Sequence, residues 1–428
     1  TSSLSRGART LGRLDPTCDP TIADVSLLAP FRALRPPPEQ APDVAELPYD
    51  VMSRDEARVM ASGRPLSFLH VSRPDIDLPD GVPADGPDGR DLAAAAFARL
   101  RALGVLMRDA SASFYVYRLT ASGHRQTGVV GLADIAAYHD GRIRRHEFTT
   151  PAKQADRAEH MLAIGAQTGP VFAVHRPDAA IGSIVAATVA GPAETAVDGP
   201  GGVCHELWPV TDQARVDALA DGFDRLGALY IADGHHRSAA AADVHERLRR
   251  PSSAGFVTVA FPADEVQVLP YNRLLRARQP VEQVLAGAEQ GFHVEPTEGP
   301  VQPAAAGEIG LYLAGQWYRL RVVSTGDLQT AEPADRLDVA VLQSRLLGPV
   351  MGIDDHRTSP DVGFVGGVRP LSELVADVDS GDWTAAVSLR ATSLVDLMAV
   401  ADSGGMMPPK STWFEPKLLD GLVSHLLD

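Results

Sequence analysis

Two rhythms of apolar positions run along the chain. One repeats every three or four residues and marks helices; the other alternates and marks half-buried strands. The stretch RDLAAAAFARLRALGVLMRD at 90–109 keeps the helical rhythm, with Gly104 placed to end it. TDQARVDALADGFDRLG at 211–227 keeps it too, and SAAAADVHERLRR at 238–250 is a helix by propensity. Strand runs alternate with these: APFRALRPP at 29–37, SFLHVSRP at 67–74, GPVFAVHRP at 169–177, LYIADG at 229–234 and FVTVAFP at 256–262. SFYVYRLTASGHRQTGVVGLADI at 113–135 and EIGLYLAGQWYRLRVV at 308–323 each hold two such runs around a short turn, which predicts hairpins. Ser53 with Glu56 forms a capping box, and Thr150 before Pro151 predicts another helix start.

Hairpins mixed with helices predict an α+β fold rather than a regular parallel array. The chain has 428 residues, more than one small core needs. A loose leader is expected over 1–28, a larger α+β domain over 29–275 and a smaller one over 276–428. The net charge of −16 argues against non-specific binding to nucleic acid or anionic membrane. No run reaches the 18 or so apolar residues of a membrane span. With two cysteines, Cys18 and Cys204, there is no disulfide framework, so a reduced, cytoplasmic setting is expected.

Chemistry concentrates at LYIADGHHRSAAAA, 229–242. A strand ends at Asp233, Gly234 permits a tight turn, and His235, His236 and Arg237 stand at a helix mouth. Helix N-termini favour anions, and Arg237 suits phosphate. Asp233 is a candidate ligand for Mg²⁺ or an orienter of a histidine. Two other readings stay open: a capped helix with solvated histidines, and a zinc site on the histidines. HEFTTPAKQADRAEH at 146–160 places Lys153, Asp156, Arg157 and His160 on one helix face. Glu147 is a candidate base for a hydroxyl, with Lys153 and Arg157 neutralising phosphate charge. In MPPKSTWFEPK, Lys410, Ser411 and Thr412 resemble the end of a phosphate loop without its glycines. The polar insertions PYD at 48–50 and YNR at 271–273 are expected to make turns.

Together APFRALRP, PYDV, SFLHVSRP, HEFTTPAKQADRAEH, LYIADGHHRSAAA, LPYNRLL and MPPKSTWFEPKLLDGL resemble the domain-of-unknown-function 1015 family, in order from Ala29 to the C-terminus. Gln154 departs from the acidic residue expected after the lysine. The Asp-Gly-x-His turn is also similar to that of free-serine kinases with a ParB/sulfiredoxin-like fold. That resemblance implies phosphorylation of the hydroxyl of free L-serine, or of a similar amino acid, from ATP or ADP with Mg²⁺. Asp233 and His236 would then lie around the phosphates and an upstream Glu, here Glu147, would act as base. Lys153, Arg157, His160, Gly234, His235, Arg237, Lys410, Ser411 and Thr412 are the expected binding residues. The alternatives are a nucleotide-binding regulator without turnover and a metal-dependent hydrolase using Asp233, His235 and His236. The expected partners are small molecules, not nucleic acid or membrane.

Overall fold

A computed structural model describes residues 26–82, 86–324, 326, 330–356 and 359–428. Most of the expected leader, with Cys18, lies outside the described residues. The fold is α+β with two large mixed or antiparallel sheets.

The first sheet uses β1 (Leu28–Ala29), β2 (Phe114–Ala121), β3 (His124–Asp134), β4 (Ile143–Arg144), β5 (Val171–His175), β6 (Thr195–Gly199), β7 (Val203–Val210), β8 (Leu229–Asp233) and β9 (Gly255–Pro262). Their order is β4-β8-β5-β9-β3-β2-β7-β6, with β1 added against β3. The β2–β3 hairpin turns at Ser122 and Gly123, whose φ values of 50° and 81° suit its twist. The second sheet contains β10 (Tyr271–Leu275), β11 (Phe292–Thr297), β12 (Glu308–Leu313), β13 (Gln316–Val322), β14 (Val362–Gly366) and β15 (Ala385–Ser388). They run β11-β13-β12-β15-β10-β14, and β12–β13 is the second expected hairpin.

Among the helices are α1 (Arg54–Ala61), α2 (Pro87–Ala102), α3 (Pro151–Ile164) and α4 (His235–Leu248), with α3 packed against both α2 and α4. The capping box at Ser53 and Glu56 is formed. Thr150 sits at the start of α3 but its side chain caps nothing; its backbone N–H donates to Nε2 of His236 at 3.1 Å. The α4 helix begins at His235, three residues before the expected Ser238, because Gly234 takes φ 93° and lets the chain turn at once. Two other expectations fail. Residues 69–72 are a short helix, not a strand, and YNR is part of β10 rather than a turn. In both places packing overrides local preference, since Phe68, Leu69 and Val71 face a small core and Arg273 is completely buried.

One apolar core runs continuously from Tyr117, Phe172 and Phe261 of the first sheet to Leu311 and Val387 of the second. The chain end returns to the first sheet's side, where His425–Leu426 pairs with Ala166–Gln167. Trp413–Glu415 pairs with Gln267–Leu269. We propose two domains built on the two sheets. Tyr271–Leu275, grouped with the first unit from sequence, supplies a strand of the second sheet. Among the described residues no helix is long and apolar enough to cross a membrane.

Buried positions generate two stability predictions. His205, whose Nδ1 lies 2.8 Å from the Tyr117 hydroxyl, is pushed down to about 4 by burial. An unfolded chain therefore binds this proton first as pH falls. The stability is fully present above the ordinary value near 6.5 and drains away towards pH 4, at most about 1.4 kcal/mol per pH unit. Denaturant melts of His205→Gln across this range should show a flatter acid limb; an unchanged limb would refute the assignment. At Gly234 a Cβ would stand 3.3 Å from the Val171 Cα in a left-handed conformation. Gly234→Ala should cost about 1–2 kcal/mol in the same melts.

Candidate functional site

The strands β4 and β8 are parallel neighbours, with Ile143 opposite Leu229 and Arg144 opposite Tyr230. The segments that leave their C-terminal ends therefore emerge on the same side. After β4 come His146, Glu147 and the start of α3; after β8 come Asp233, Gly234 and α4. The two helices then pack along each other, and Gln154 donates to Asp243 at 2.7 Å. An acid at position 154 would repel Asp243, so this departure from the expected pattern has a local reason.

These segments wall a cavity of about 370 Å³. Glu147, Lys153, Asp156, Arg157, His160, Asp233, Gly234, His235, His236, Arg237 and Lys410 all line it. The four residues spaced along α3 reach it together, as one helix face must. Ser411 and Thr412 do not line it. The Ser411 hydroxyl instead donates to the Pro408 carbonyl at 2.5 Å, and its own carbonyl accepts from Thr392, so it folds the loop.

Sequence reading missed several contributors. Tyr49 and Asp50, expected as a turn, do form one, and that turn is part of the cavity wall. Arg73 and Asp75 join them as a two-pronged ion pair at 2.9 and 2.7 Å. Lys417 belongs to the C-terminal motif without a role suggested by its spacing, yet its Nζ is 3.0 Å from Oδ2 of Asp233. The available signal was a lysine seven residues after Lys410; nothing tied it to Asp233.

Asp233 is thus already engaged. Its Oδ1 accepts from the Gly234 N–H at 2.8 Å and its Oδ2 from Lys417. Burial pushes this carboxyl up, but Lys417 and Arg237 outweigh that and hold it well below the carboxylate range. Both of its oxygens are engaged within the protein. Arg237 is also pinned: it donates to the Pro170 carbonyl at 2.5 Å, and Asp50 stands 3.8 Å from it. Burial disfavours its charge, while Asp50, Asp233 and Asp420 hold the guanidinium charged. Asp420, beneath it, is pushed up to about 7 by burial against the pull of Arg237. Arg157 donates twice to Asp156 and lies 4.2 Å over the ring of Tyr49.

Burial disfavours the charged form of each cavity histidine. Burial, with Arg157 and Arg90 adding to it, lowers His160 to about 3. His235 is held well below its ordinary value by burial and by His146. His236 is lowered by burial, then by Lys153 and Lys410, and its Nε2 accepts from Thr150. Asp233, His235 and His236, expected for a metal-dependent hydrolase, line the cavity but do not form a cluster of ligand atoms among the described residues. Adjacent residues on a helix diverge, and His236 faces the start of α3.

Two cavity cations, Lys153 and Lys410, hold no carboxylate among the described residues. Lys410 has φ 58°, a conformation that L residues rarely keep without help. Arg273, fully buried, supplies it. Its guanidinium donates to the Lys410 carbonyl at 2.9 Å and to that of Pro409 at 3.4 Å, and it lies 4.6 Å over Phe364. Burial presses this arginine down to about 9. Burial also opposes the charge of Lys410, but Tyr271, Glu147 and Asp233 more than offset it and raise the amine. Glu147 is raised by burial, with Lys410 and Lys153 pulling the other way. The cavity therefore combines free lysines, a helix N-terminus and a carboxyl facing them. That set can bind an anion and take a proton beside it.

No curated protein matches the chain. Among solved structures, a free serine kinase in complex with AMP is 13% identical, with a TM-score of 0.38, over 70% of this chain and 92% of its own. A conserved hypothetical protein from Pyrococcus furiosus is 14% identical, with a TM-score of 0.36, over 68% and 93%. A C-terminally truncated SbnI from Staphylococcus aureus is 12% identical, with a TM-score of 0.36, over 70% and 87%. At these identities and TM-scores the likeness decides nothing about what this chain does. The family match is of a different order, spanning residues 28–340 in one stretch, and the chain belongs to the family described as protein of unknown function DUF1015.

Proposed function

We propose that the cavity binds the phosphates of a nucleotide such as ATP or ADP and transfers a phosphoryl group to the hydroxyl of free L-serine or a similar amino acid. The observation that supports this most is the convergence of Lys153, Lys410 and the first turn of α4 on one cavity with Glu147 in its wall. The first N–H groups of a helix have no intrahelical partner and attract anions. Phosphoryl transfer needs chiefly positioning and charge neutralisation, which such a set supplies.

In this reading Glu147 takes the proton from the acceptor hydroxyl. The hydroxyl oxygen forms the new bond to the terminal phosphorus, the bond from phosphorus to the bridging oxygen breaks, and the shortened nucleotide leaves. Lys153 and Lys410 neutralise the phosphate oxygens. Arg237 and Asp233 act indirectly: they shape the turn that aims the α4 amides. Mg²⁺ takes oxygen ligands. Asp50 and Asp233, each already beside a cation of the protein, are the cavity carboxylates at the α4 turn that would share it with the donor's own phosphates. When bound, it would add positive charge beside the transferred group. The choice of acceptor rests on the resemblance of the Asp233 turn to that of free-serine kinases.

Calorimetry with ATP and Mg²⁺ should show saturable binding. Lys410→Ala should weaken it about tenfold or more, the loss of one charge-assisted contact. With L-serine present, phosphoserine and ADP should form in equal amounts. Glu147→Gln should retain nucleotide binding and slow turnover by about a hundredfold or more. Binding without phosphoserine would reduce the protein to a nucleotide-binding regulator. Binding indifferent to Lys410 would move the nucleotide elsewhere.

A further inference from the structure

Behind the cavity wall two imidazoles meet edge to face, with the ring centres of His146 and His235 4.5 Å apart. Both side chains are at least nine-tenths buried, His146 at 1% and His235 at 5% exposure. Neither ring nitrogen of His146 makes a hydrogen bond of good geometry, and Nε2 of His235 makes none. A buried polar atom left without a partner is destabilising, and here three are gathered at one point. The Glu147 carboxylate completes the group. One ligand atom from each of the three residues lies within 4.8 Å of the other two.

We infer that His146, Glu147 and His235 form a binding site for a divalent first-row transition-metal ion. Two neutral imidazoles and one carboxylate suit zinc, iron(II), manganese or cobalt, whereas magnesium and calcium prefer oxygen alone. Around a four-coordinate ion with bonds near 2.1 Å, ligand atoms stand about 3.4 Å apart. Small rotations of the three side chains close the difference. The Ile231 carbonyl beside His146 favours a proton on that ring. Metal-bound histidines commonly direct their second nitrogen to such an oxygen. Glu147 and His235 line the cavity, while His146 stands behind them. An ion held between them therefore keeps an open side towards the cavity, the mark of a site that binds an exchangeable oxygen ligand.

The topology explains why sequence did not show this. His146 follows β4, His235 follows β8, and only the parallel pairing of those strands sets the two residues side by side. This metal site differs in composition from the hydrolase set, since it omits both Asp233 and His236. It goes beyond the phosphoryl-transfer reading and alters one part in it. With the ion present Glu147 is a ligand rather than the proton acceptor of that reading.

The test is titration of the full chain, freed of metal by a chelator and then dialysed, with Co²⁺ alone and no nucleotide. One equivalent should bind and develop the visible absorption of a four- or five-coordinate ion with nitrogen ligands. It should also raise the melting temperature, since only the folded chain holds the set. Glu147→Gln, which keeps the shape of the wall, should weaken binding about tenfold or more. His146→Ala and His235→Ala should abolish the absorption, while His236→Ala should retain it. No binding by the wild type, or binding unchanged in His235→Ala and Glu147→Gln, would overturn the inference. Nucleotide binding, measured separately with Mg²⁺, is unaffected by that failure. Its own failure would in turn leave the Co²⁺ result standing.

Discussion

The ion pair between Asp233 and Lys417 is the constraint on which the site's shape depends. Asp233 ends the strand next to the sheet's edge with its side chain about a third exposed, and on its buried side the carboxylate needs partners. Lys417 matches one oxygen and the Gly234 N–H the other. The pair does two things at once. It fixes the turn that starts α4, and it fastens the C-terminal segment 407–417 across the first sheet. Lys410 lies on that same segment, so the position of a cavity lysine is set by a carboxylate on another element.

Most charges around the cavity are spent on building it. Arg73 binds Asp75, Arg157 binds Asp156, and Arg237 holds the Pro170 carbonyl. These are short or largely shielded contacts, where screening by solvent is weak. Having them paired leaves Lys153, Lys410, Glu147 and the helix amides facing the open space. The buried histidines obey the same logic. Removed from water, they stay neutral, and their lone pairs are then available to an acid proton or a metal rather than to a phosphate.

Arg273 shows how far this construction reaches. It is a fully buried cation with no carboxylate among the described residues; its two terminal nitrogens donate to backbone carbonyls, its Nε makes no hydrogen bond, and it lies over the face of Phe364. Its two terminal nitrogens tie it to the chain around it, and it holds that chain in return. The positive φ of Lys410 is maintained by this clamp, which joins the second sheet to the cavity.

What the sequence determined by itself is what near neighbours decide. The hairpin at Ser122-Gly123, the turn at Gly234, the helix after Pro151 and the shared face of Lys153, Asp156, Arg157 and His160 all depend on residues within a turn or two of one another, and each could be read from spacing. The short helix at 69–72 and the strand through Arg273 escaped because burial there outweighed local preference. The tertiary structure alone decided the partners. Lys417 lies 184 residues from Asp233 and leaves no periodic trace of that pairing. His146 meets His235 because two strands lie parallel, and Asp50 enters the wall because its turn packs against Arg237. Periodicity encodes which face a residue occupies; only the packed chain brings that face to its partner.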